Sequence, residues 1–343
     1  MSESMSAPAL SVFTSEDSLL SITRSRERCV DLIADAYRAH AVGDCVNPES
    51  TFLRLPDSPG SRIISLPAYL GGPFEVAGIK WISSFPSNHG RGLPRASAAL
   101  ILNDIETGYP YAVLEAATIS ATRTAASAVL AAELLIGSRS ASRIGIVGTG
   151  FIASNVMDFL RDLNWRIDEV VLCDTSTAAA EKFRAHLAGR LDSTVTVRCV
   201  STPAEAFSGS DLMVVTTIAM EPHLDDCGLL VSNPVVLHLS LRDLSPAMIL
   251  ASQNFTDDKE HALREGTSLY LTGRQEGNSE FLAGTIGDLL GGTVTPDTGK
   301  PRVFSPFGLG ILDLAVAKLV HDDSIGRGGG TQIPNFFQAP DGL

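Results

Sequence analysis

Short apolar runs alternate with helical stretches through the middle of the chain. Between residues 143 and 257, most runs of branched apolar residues are followed by a segment whose apolar positions recur every three or four residues. This alternation indicates βαβ units, which place parallel strands in one sheet with helices on its faces. The expected strands are 144–147, 170–173, 195–200, 212–216, 235–239 and 253–257, and the expected helices are 151–163, 177–190 and 203–207.

A different pattern occupies the first part of the chain. Runs with strand character follow one another across short turns, such as the Pro- and Gly-containing turn at 56–60, which predicts an α+β layer separate from the parallel sheet. A long Ala-rich helix at 118–136 leads into the second part, and an apolar helix at 309–320 is expected to pack back on the first. The expected strands of this layer are 10–13, 51–55, 62–66, 74–82, 97–103 and 111–115.

The predicted fold class is therefore α/β, with a Rossmann doubly wound parallel sheet plus an α+β substrate and dimerisation domain. That second domain is built from the N-terminal part and the C-terminal helix. We expect it at residues 1–130 and 309–343, and the nucleotide-binding domain at 131–308. A chain of 343 residues is long enough for two such domains.

One glycine-containing turn identifies the expected cofactor. Gly148, Gly150 and Ala153 follow the apolar run at 144–147 in a G-x-G-x-x-A pattern that opens a helix. The first glycine permits the tight turn, the second lets a pyrophosphate approach the backbone, and Ala153 lets the helix pack near the strand. Asp174 ends the next strand, 24 residues beyond Gly150, where a carboxylate would bind the ribose and repel a 2′-phosphate. This pattern favours NAD over NADP, and the alternative is an ordinary glycine turn in a doubly wound domain.

Composition excludes several classes of partner. The net charge is −13, the pI is about 4.9, and no block of Lys and Arg stands out, so nucleic acid and anionic membranes are poor partners. The five cysteines are scattered without a C-x-x-C pair, which argues against a disulfide framework or a zinc site and suits a cytoplasmic protein. The N-terminus has no signal-peptide pattern, and the longest apolar run, at 125–136, is too short to span a bilayer. We expect no metal.

Four charged residues stand out on otherwise apolar elements. Each has a structural alternative: Lys80 and Arg54 could lie on a solvated strand face, Arg123 could be a capping or ion-paired arginine, and Asp243 could be a helix N-cap. Together they fit one chemistry. Two arginines can hold carboxylates, a desolvated lysine with a depressed pKa can act on an amine or imine, and a carboxylate near the nicotinamide can shuttle a proton. Hydride transfer from the Cα of an amino acid needs such a set of groups.

With these residues in view, the chain resembles the ornithine cyclodeaminase/μ-crystallin family from about residue 10 to 322. The matching stretches are Gly78–Trp81, Asp104–Tyr111, Thr122–Ala126, Ile146–Gly150 and Phe304–Ala315.

The resemblance implies functional positions for individual residues. Arg54, Lys80 and Arg123 would bind the substrate carboxylate and amine, and Asp243 would be the catalytic acid or base. Arg123 would also touch the cofactor. The other implied cofactor-binding residues are Gly148, Gly150, Phe151, Ile152, Asp174, Thr216, Thr217, Ser240 and Gly308.

Four further segments point to the branch of the family that forms 2,3-diaminopropionate. They are Ile79–Asn88, Leu93–Ala98, His238–Pro246 and Gly284–Asp288. This branch implies an NAD-dependent oxidative hydrolysis of N-(2-amino-2-carboxyethyl)-L-glutamate, in siderophore or peptide antibiotic biosynthesis. Such a substrate carries three carboxylates, so Arg95 is a further candidate ligand unless it is an ordinary loop arginine. The family pattern also implies a homodimer that acts on a small amino-acid substrate.

Two alternatives remain at the level of sequence. One is an ornithine cyclodeaminase or an imine or amino-acid dehydrogenase of the same fold, and the other is a non-catalytic dinucleotide-binding protein of the μ-crystallin kind. In ornithine cyclodeaminases a glutamate is expected where this chain has Ser65, which counts against cyclisation of ornithine. Intact Lys80, Arg123 and Asp243 count against a non-catalytic protein.

Overall fold

The computed structural model describes residues 8–58 and 60–338, and within them the chain divides into two compact units. The first comprises the chain up to Arg123 together with the chain from Leu309 onward, and the second comprises Thr124–Gly308. The division falls inside a long helix, at Arg123 instead of at residue 130. The helices are α1 (Ser15–Thr23), α2 (Arg26–Ala41), α3 (Ala117–Ile136), α4 (Phe151–Asp162), α5 (Thr177–Ala188), α6 (Pro203–Phe207), α7 (Pro246–Leu250), α8 (Lys259–Ala262), α9 (Ser268–Glu276), α10 (Ile286–Leu290) and α11 (Gly310–Gly326).

The strands of the described residues form two sheets. They are β1 (Leu10–Phe13), β2 (Cys45–Val46), β3 (Thr51–Arg54), β4 (Arg62–Leu70), β5 (Val76–Ser84), β6 (Ala96–Asn103), β7 (Pro110–Glu115), β8 (Arg143–Val147), β9 (Glu169–Cys173), β10 (Thr196–Val200), β11 (Leu212–Val215), β12 (Val235–His238), β13 (Gln253–Thr256), β14 (Leu282–Thr285), β15 (Arg302–Phe304) and β16 (Thr331–Ile333).

The second unit is built on a wholly parallel sheet in the order β10-β9-β8-β11-β12-β15-β13-β14. The first five strands of this order reproduce the Rossmann arrangement, in which the strand order reverses beside β8. Ile144, Ile146 and Val214 are fully buried, as expected for central strands covered on both faces. The predicted doubly wound α/β domain is confirmed.

The first unit is built on a mainly antiparallel sheet in the order β16-β1-β7-β6-β5-β4-β2, with β3 added beside β4. Only β1 and β7 pair in parallel within it. Its long strands are β4, β5 and β6, and α11 packs on β4 and β5 as the apolar pattern at 309–320 predicts. Gly78 allows this close packing, because a Cβ there would lie 2.2 Å from the carbonyl oxygen of Ile101 and 3.0 Å from Leu314.

Four strands, β2, β14, β15 and β16, were not predicted from the sequence. Strand β16 pairs antiparallel with β1, while the ring of Phe337 beyond it lies 5.1 Å from the ring of Tyr109. Helix α3, Ala117–Ile136, agrees with the helix predicted at 118–136. It has the length and composition of a membrane span, but 72% of its apolar window is buried inside the protein, as in the core helix of a globular domain.

Candidate functional site

The turn between β8 and α4 has the geometry of a pyrophosphate site. Gly148 adopts φ +89°, and a Cβ there would lie 2.8 Å from the carbonyl oxygen of Thr216, so only glycine fits. No heavy atom lies within 4 Å of the position that a Cβ on Gly150 would take. Gly150 caps the 12-residue helix α4 without a side-chain hydrogen bond, which leaves first-turn N–H groups for a phosphate. The residues present therefore fit a bound dinucleotide.

Asp174 follows β9 at the same edge of the sheet. Its Oδ2 accepts hydrogen bonds from the backbone N and the Oγ1 of Thr149, both at 2.8 Å, and its Oδ1 accepts one from the backbone N of Ser176 at 2.9 Å. Burial alone would raise the pKa of Asp174, but these hydrogen bonds outweigh burial and lower it. The side chain is therefore a carboxylate with acceptor capacity left for ribose hydroxyls, and its charge disfavours a 2′-phosphate.

The other predicted cofactor residues lie around this edge of the parallel sheet. Phe151 begins α4 with its ring largely exposed, and Ile152 beside it is half-buried. The hydroxyl of Thr216 donates to the carbonyl oxygen of Gly148 at 2.7 Å. Gly308 follows β15 with φ +97°. The backbone N of Gly308 donates a hydrogen bond to the carboxylate of buried Asp257 at 2.5 Å.

Asp243 is the centre of a polar cluster beyond the ends of β11 and β12. The hydroxyls of Thr217 and Ser240 each donate a short hydrogen bond to its carboxylate. Nε2 of His223 lies 3.0 Å from Oδ1, and Nε2 of His238 lies 3.2 Å from Oδ2. Asp243 and His238 are fully buried, whereas His223 is partly exposed. A carboxylate surrounded by four polar side chains is held in one position, as a proton-transfer group requires.

These contacts decide the charge of Asp243. Burial acts to raise its pKa, but the contacts with His238, Ser240 and Thr217 together hold the pKa well below its usual range. The N-cap alternative is wrong, because the side chain of Ser245 caps α7. Leu241 lies in the same loop with φ +70°, a conformation that is costly for a side chain of this kind and is concentrated at functional sites.

The first unit contains a second buried charge cluster, around Lys80 of β5. Its Nζ lies 2.6 Å from Oδ2 of Asp313 and donates to the hydroxyl of Ser120 at 3.1 Å. Arg123 of α3 places its Nε 3.4 Å from the other oxygen of Asp313. Lys80 is only 2% exposed and Asp313 is fully buried, so the solvated alternative for Lys80 is wrong.

The surroundings of Lys80 tune its proton affinity. Burial and the positive charge of Arg123 lower the pKa of Lys80 to about 8, although Asp313 acts in the opposite direction. An ammonium group has three N–H donors, and the two hydrogen bonds described leave one for a ligand. Oδ1 of Asp313 has no hydrogen-bond partner although it is buried, so the cluster offers an incoming ligand both a donor and an acceptor.

The other two predicted substrate arginines lie on the same sheet. Arg54 at the end of β3 is exposed, with its guanidinium 5.3 Å from the ring centre of Phe52. Arg95 is half-buried and donates from Nη1 to the hydroxyl of Ser84 at 2.7 Å. Burial lowers the pKa of Arg95 from its ordinary value.

Ser65 is not on the same face as Lys80. In the β4–β5 register Ser65 pairs with Trp81, whereas Leu66 pairs with Lys80, and paired residues in antiparallel strands point to the same side. The Lys80 face of β4 is formed by Arg62, Ile64, Leu66 and Ala68. The charged residue on this face of β4 is thus Arg62, whereas a diamine substrate would need an acidic residue there.

Several residues of these clusters were missed in the sequence. Asp313, His223, His238, Asp257 and Ser120 were not selected, and the usable signal was weak. Asp313 stands in the apolar stretch 309–317, where an isolated acid indicates either a buried ion pair or a ligand. Within the part of the chain that the structure describes, no group of three or more His, Cys, Asp or Glu side chains could hold a metal ion.

Comparison with known proteins identifies the family. The family model of the ornithine cyclodeaminase/mu-crystallin family matches residues 12–328. The N-((2S)-2-amino-2-carboxyethyl)-L-glutamate dehydrogenase of Staphylococcus aureus is 29% identical over 89% of this chain and 92% of its own length. The alanine dehydrogenase of Archaeoglobus fulgidus is also 29% identical, over 91% and 95%. A solved archaeal alanine dehydrogenase dimer with bound NAD superposes with a TM-score of 0.84 at 26% identity, covering 96% of this chain and 100% of that one.

These relatives confirm two predictions made from the sequence. The cofactor is NAD, and the protein is an oxidoreductase that acts on the CH–NH group of amino acids or the corresponding imines. The glycine turn and Asp174, which fit a bound NAD, lie within the residues 12–328 that match the family model. The chain belongs to the ornithine cyclodeaminase/mu-crystallin family.

Proposed function

We propose that the protein catalyses the NAD-dependent oxidative hydrolysis of N-(2-amino-2-carboxyethyl)-L-glutamate to 2-oxoglutarate and L-2,3-diaminopropionate. The observation that carries the proposal is the buried cluster of Lys80, Asp313 and Arg123, with arginines further along the same sheet. A cluster of this kind suits an amino acid with several carboxylates. The S. aureus relative named for this substrate, similar over almost the whole chain, supports it.

In the first step, Arg123 holds the glutamyl α-carboxylate, and Arg54 and Arg95 contact the other carboxylates. The depressed pKa of Lys80 lets a fraction of this side chain be neutral near pH 8, so it can take the proton of the secondary amine. Held by the turn at Gly148 and Gly150 and by Asp174, NAD would supply the acceptor for the hydride of the glutamyl Cα, and the substrate would be left with a C=N bond.

In the second step, water adds to the carbon of the C=N bond. Asp243 is anionic and accepts a proton from the attacking water. That proton passes to the nitrogen, which gives a carbinolamine. The remaining hydroxyl proton then moves to the same nitrogen as the C–N bond breaks, which releases diaminopropionate and 2-oxoglutarate. One substrate, one NAD⁺ and one water thus give two products, one NADH and one proton.

An amino-acid dehydrogenase with a smaller substrate is the second candidate, because the archaeal alanine dehydrogenase is equally identical to this chain. Arg95 beside Ser84 favours the larger substrate, since alanine has a single carboxylate. Ornithine cyclisation is disfavoured because β4 contains no Asp or Glu. A non-catalytic dinucleotide-binding protein would not need a buried lysine with a pKa of about 8.

We further propose that the protein works as a homodimer through the outer face of the first sheet. This face bears Ile63, Pro67, Ile79, Trp81 and Ile101, and the Trp81 ring is 46% exposed. Adjacent half-exposed apolar residues on a flat sheet are typical of a protein interface. The neighbour with known structure that was solved as a dimer supports the proposal.

The proposed compartment and pathway of the enzyme follow from its product. Diaminopropionate is a building block, so we place the reaction in the cytoplasm, as a supply step for a siderophore or a peptide antibiotic.

The test is to mix the purified protein with NAD and N-(2-amino-2-carboxyethyl)-L-glutamate and to follow the NADH absorbance. We expect NADH to appear with equimolar 2-oxoglutarate and diaminopropionate, identified by mass. Parallel reactions with L-alanine and L-ornithine serve as controls. Faster NADH formation with alanine would assign the protein to the dehydrogenases of small amino acids. Conversion of ornithine to proline and ammonia without NADH would make it a cyclodeaminase.

A further inference from the structure

Asp243 has little capacity left to contact a water molecule directly. Its side chain is fully buried, and each carboxylate oxygen already faces two polar groups. Oδ1 contacts the hydroxyl of Thr217 and Nε2 of His223, and Oδ2 contacts the hydroxyl of Ser240 and Nε2 of His238. Because a carboxylate offers about four acceptor sites, a water molecule that reaches this cluster meets one of the four neighbours of Asp243 first.

Three of these four neighbours are poorly placed to receive a proton from water. His238 is fully buried. The hydroxyl oxygen of Thr217 already accepts a hydrogen bond at 3.0 Å from a backbone N–H two residues further on. The hydroxyl oxygen of Ser240 lies 3.2 Å from a backbone carbonyl oxygen of β11. His223 remains, and it is the exposed residue of the four, with 40% of its side chain accessible.

His223 is held against Asp243 by the backbone as well as by its ring. The backbone N–H groups of His223 and Leu224 both donate to the carbonyl oxygen of Asp243, at 3.0 and 2.9 Å, and Nε2 of His223 lies 3.0 Å from Oδ1. A carboxylate can only accept, so Nε2 carries the proton of the neutral imidazole and Nδ1 is its acceptor. Within residues 8–58 and 60–338, no protein group forms a hydrogen bond with Nδ1, so this nitrogen can take a proton from water.

We propose that His223 relays protons between the attacking water and Asp243 during hydrolysis of the C=N bond. The oxygen of the water forms a bond to the carbon, while the electron pair of the C=N π bond moves to the nitrogen. Nδ1 of His223 takes the proton that the water loses, and Nε2 passes its own proton to Oδ1 of Asp243. Both transfers then run in reverse and deliver one proton to the nitrogen, so the imidazole and the carboxylate regain their starting states. The relay rests on the proposed function and adds a residue to its second step.

Substitution of His223 by glutamine separates the relay from a holding role. In His223→Gln the amide can keep an N–H donor near Oδ1 of Asp243, but it lacks a second nitrogen that accepts a proton. We expect the first turnover of NADH, followed by stopped flow, to keep its wild-type rate, because hydride transfer precedes hydrolysis. Steady-state turnover should fall about 10²-fold, which produces a burst of one NADH per active site. Equal slowing of both phases, or an unchanged steady-state rate, would overturn the relay.

Imidazole supplied from solution gives an independent readout. His223→Ala leaves a space that is open to solvent, because the His223 side chain is partly exposed, and added imidazole should restore part of the steady-state rate. His223→Gln should not respond, since its amide occupies the same space. Absence of rescue in a His223→Ala protein with the wild-type melting temperature would contradict the relay.

A second histidine of the same unit provides the matched control. His186 is partly buried, and its Nε2 lies 3.3 Å from the hydroxyl of Ser154, so its partner is neutral where that of His223 is a carboxylate. His186→Gln should keep the wild-type rates in both phases and should not respond to imidazole. A loss of steady-state turnover in His186→Gln as large as that in His223→Gln would show that the effect is not specific to the relay.

The tautomer of His223 can be read without turnover. In ¹⁵N spectra of histidine-labelled protein at mildly alkaline pH, the signals absent from His223→Gln should show a protonated Nε2 and an unprotonated Nδ1, and the opposite tautomer would overturn the relay. If the wild type oxidises L-alanine and not N-(2-amino-2-carboxyethyl)-L-glutamate, the kinetic test moves to alanine, whose imine is also hydrolysed. The proposed reaction then fails, while the burst in His223→Gln still decides the relay.

Discussion

Nζ of Lys80 on β5 lies 2.6 Å from Oδ2 of Asp313 on α11, and both side chains are buried in the first unit. A buried pair of this kind contributes little net stability, because the desolvation of two charges offsets their attraction. The pair therefore has a role other than stability. The depressed pKa of Lys80 indicates that this role is to set the protonation of the Lys80 amine. Asp313 positions the amine, while burial and Arg123 keep it close to losing its proton.

Removal of the Lys80 amine should abolish turnover. We expect Lys80→Ala to lower kcat by several orders of magnitude and to leave the dissociation constant of NAD near the wild-type value, because the glycine turn lies in the other unit. The check is steady-state kinetics beside NADH fluorescence titration. A loss of less than about tenfold, or about 1.4 kcal/mol of barrier, would contradict the assigned role.

The pH profile should report the pKa of Lys80. Because the neutral amine is the active form in the proposed mechanism, kcat/KM should rise with pH through about 8. Asp313→Asn removes a charge that raises this pKa, so the rising limb should move to lower pH. Arg123→Gln removes a charge that lowers it, so its limb should move to higher pH, with weaker substrate binding. Shifts in the same direction in both variants would be inconsistent with this electrostatic account.

Asp243 should matter through its negative charge. Asp243→Asn keeps the size of the side chain but replaces the carboxylate, and we expect kcat to fall by about 10²- to 10⁴-fold. Because its folded pKa is depressed, the carboxylate remains ionised as the pH falls through the ordinary range for aspartate, so the wild-type profile should show no acidic limb near pH 4. Glu221→Gln, an exposed acid of the same region, is the control. Unchanged kcat in Asp243→Asn would remove Asp243 from the mechanism.

Asp174 should set the preference for NAD. Asp174→Ala removes the carboxylate that would face a 2′-phosphate, so the ratio of kcat/KM for NAD to that for NADP should fall by about tenfold or more. Thr175→Ala, at the next position, should leave the ratio almost unchanged. An identical ratio in wild type and Asp174→Ala would show that the ribose binds elsewhere.

Trp81 should contribute to the interface between subunits. Trp81→Glu introduces a charge twice into a two-fold interface, and we expect light scattering to show a monomer where the wild type is a dimer. Leu19→Glu changes a residue of α1 that is similarly exposed, and it should leave the assembly intact. A dimeric Trp81→Glu protein would indicate that another surface joins the subunits.

The second unit was the part most fully predicted from the sequence. Strands β8 and β9, the turn at Gly148 and Gly150 and the acid at Asp174 depend on contacts within one βαβ unit. Local apolar periodicity and glycine positions therefore specify it. Lys80, Arg123 and Asp243 were also found in the sequence, because a charge inside an apolar element is conspicuous.

What the sequence alone could not decide is which charges meet. Lys80 and Asp313 are 233 residues apart in the chain, and the register of β4 and β5 decides that Leu66, and not Ser65, lies beside Lys80. A shift of one residue in that register would turn Arg62 and Leu66 to the opposite face. The sequence determined the fold class, the family resemblance and the cofactor, since these depend on local patterns. The tertiary structure decided the partners and pKa of Lys80 and the face on which Ser65 lies, because burial and charge proximity arise only when distant segments pack.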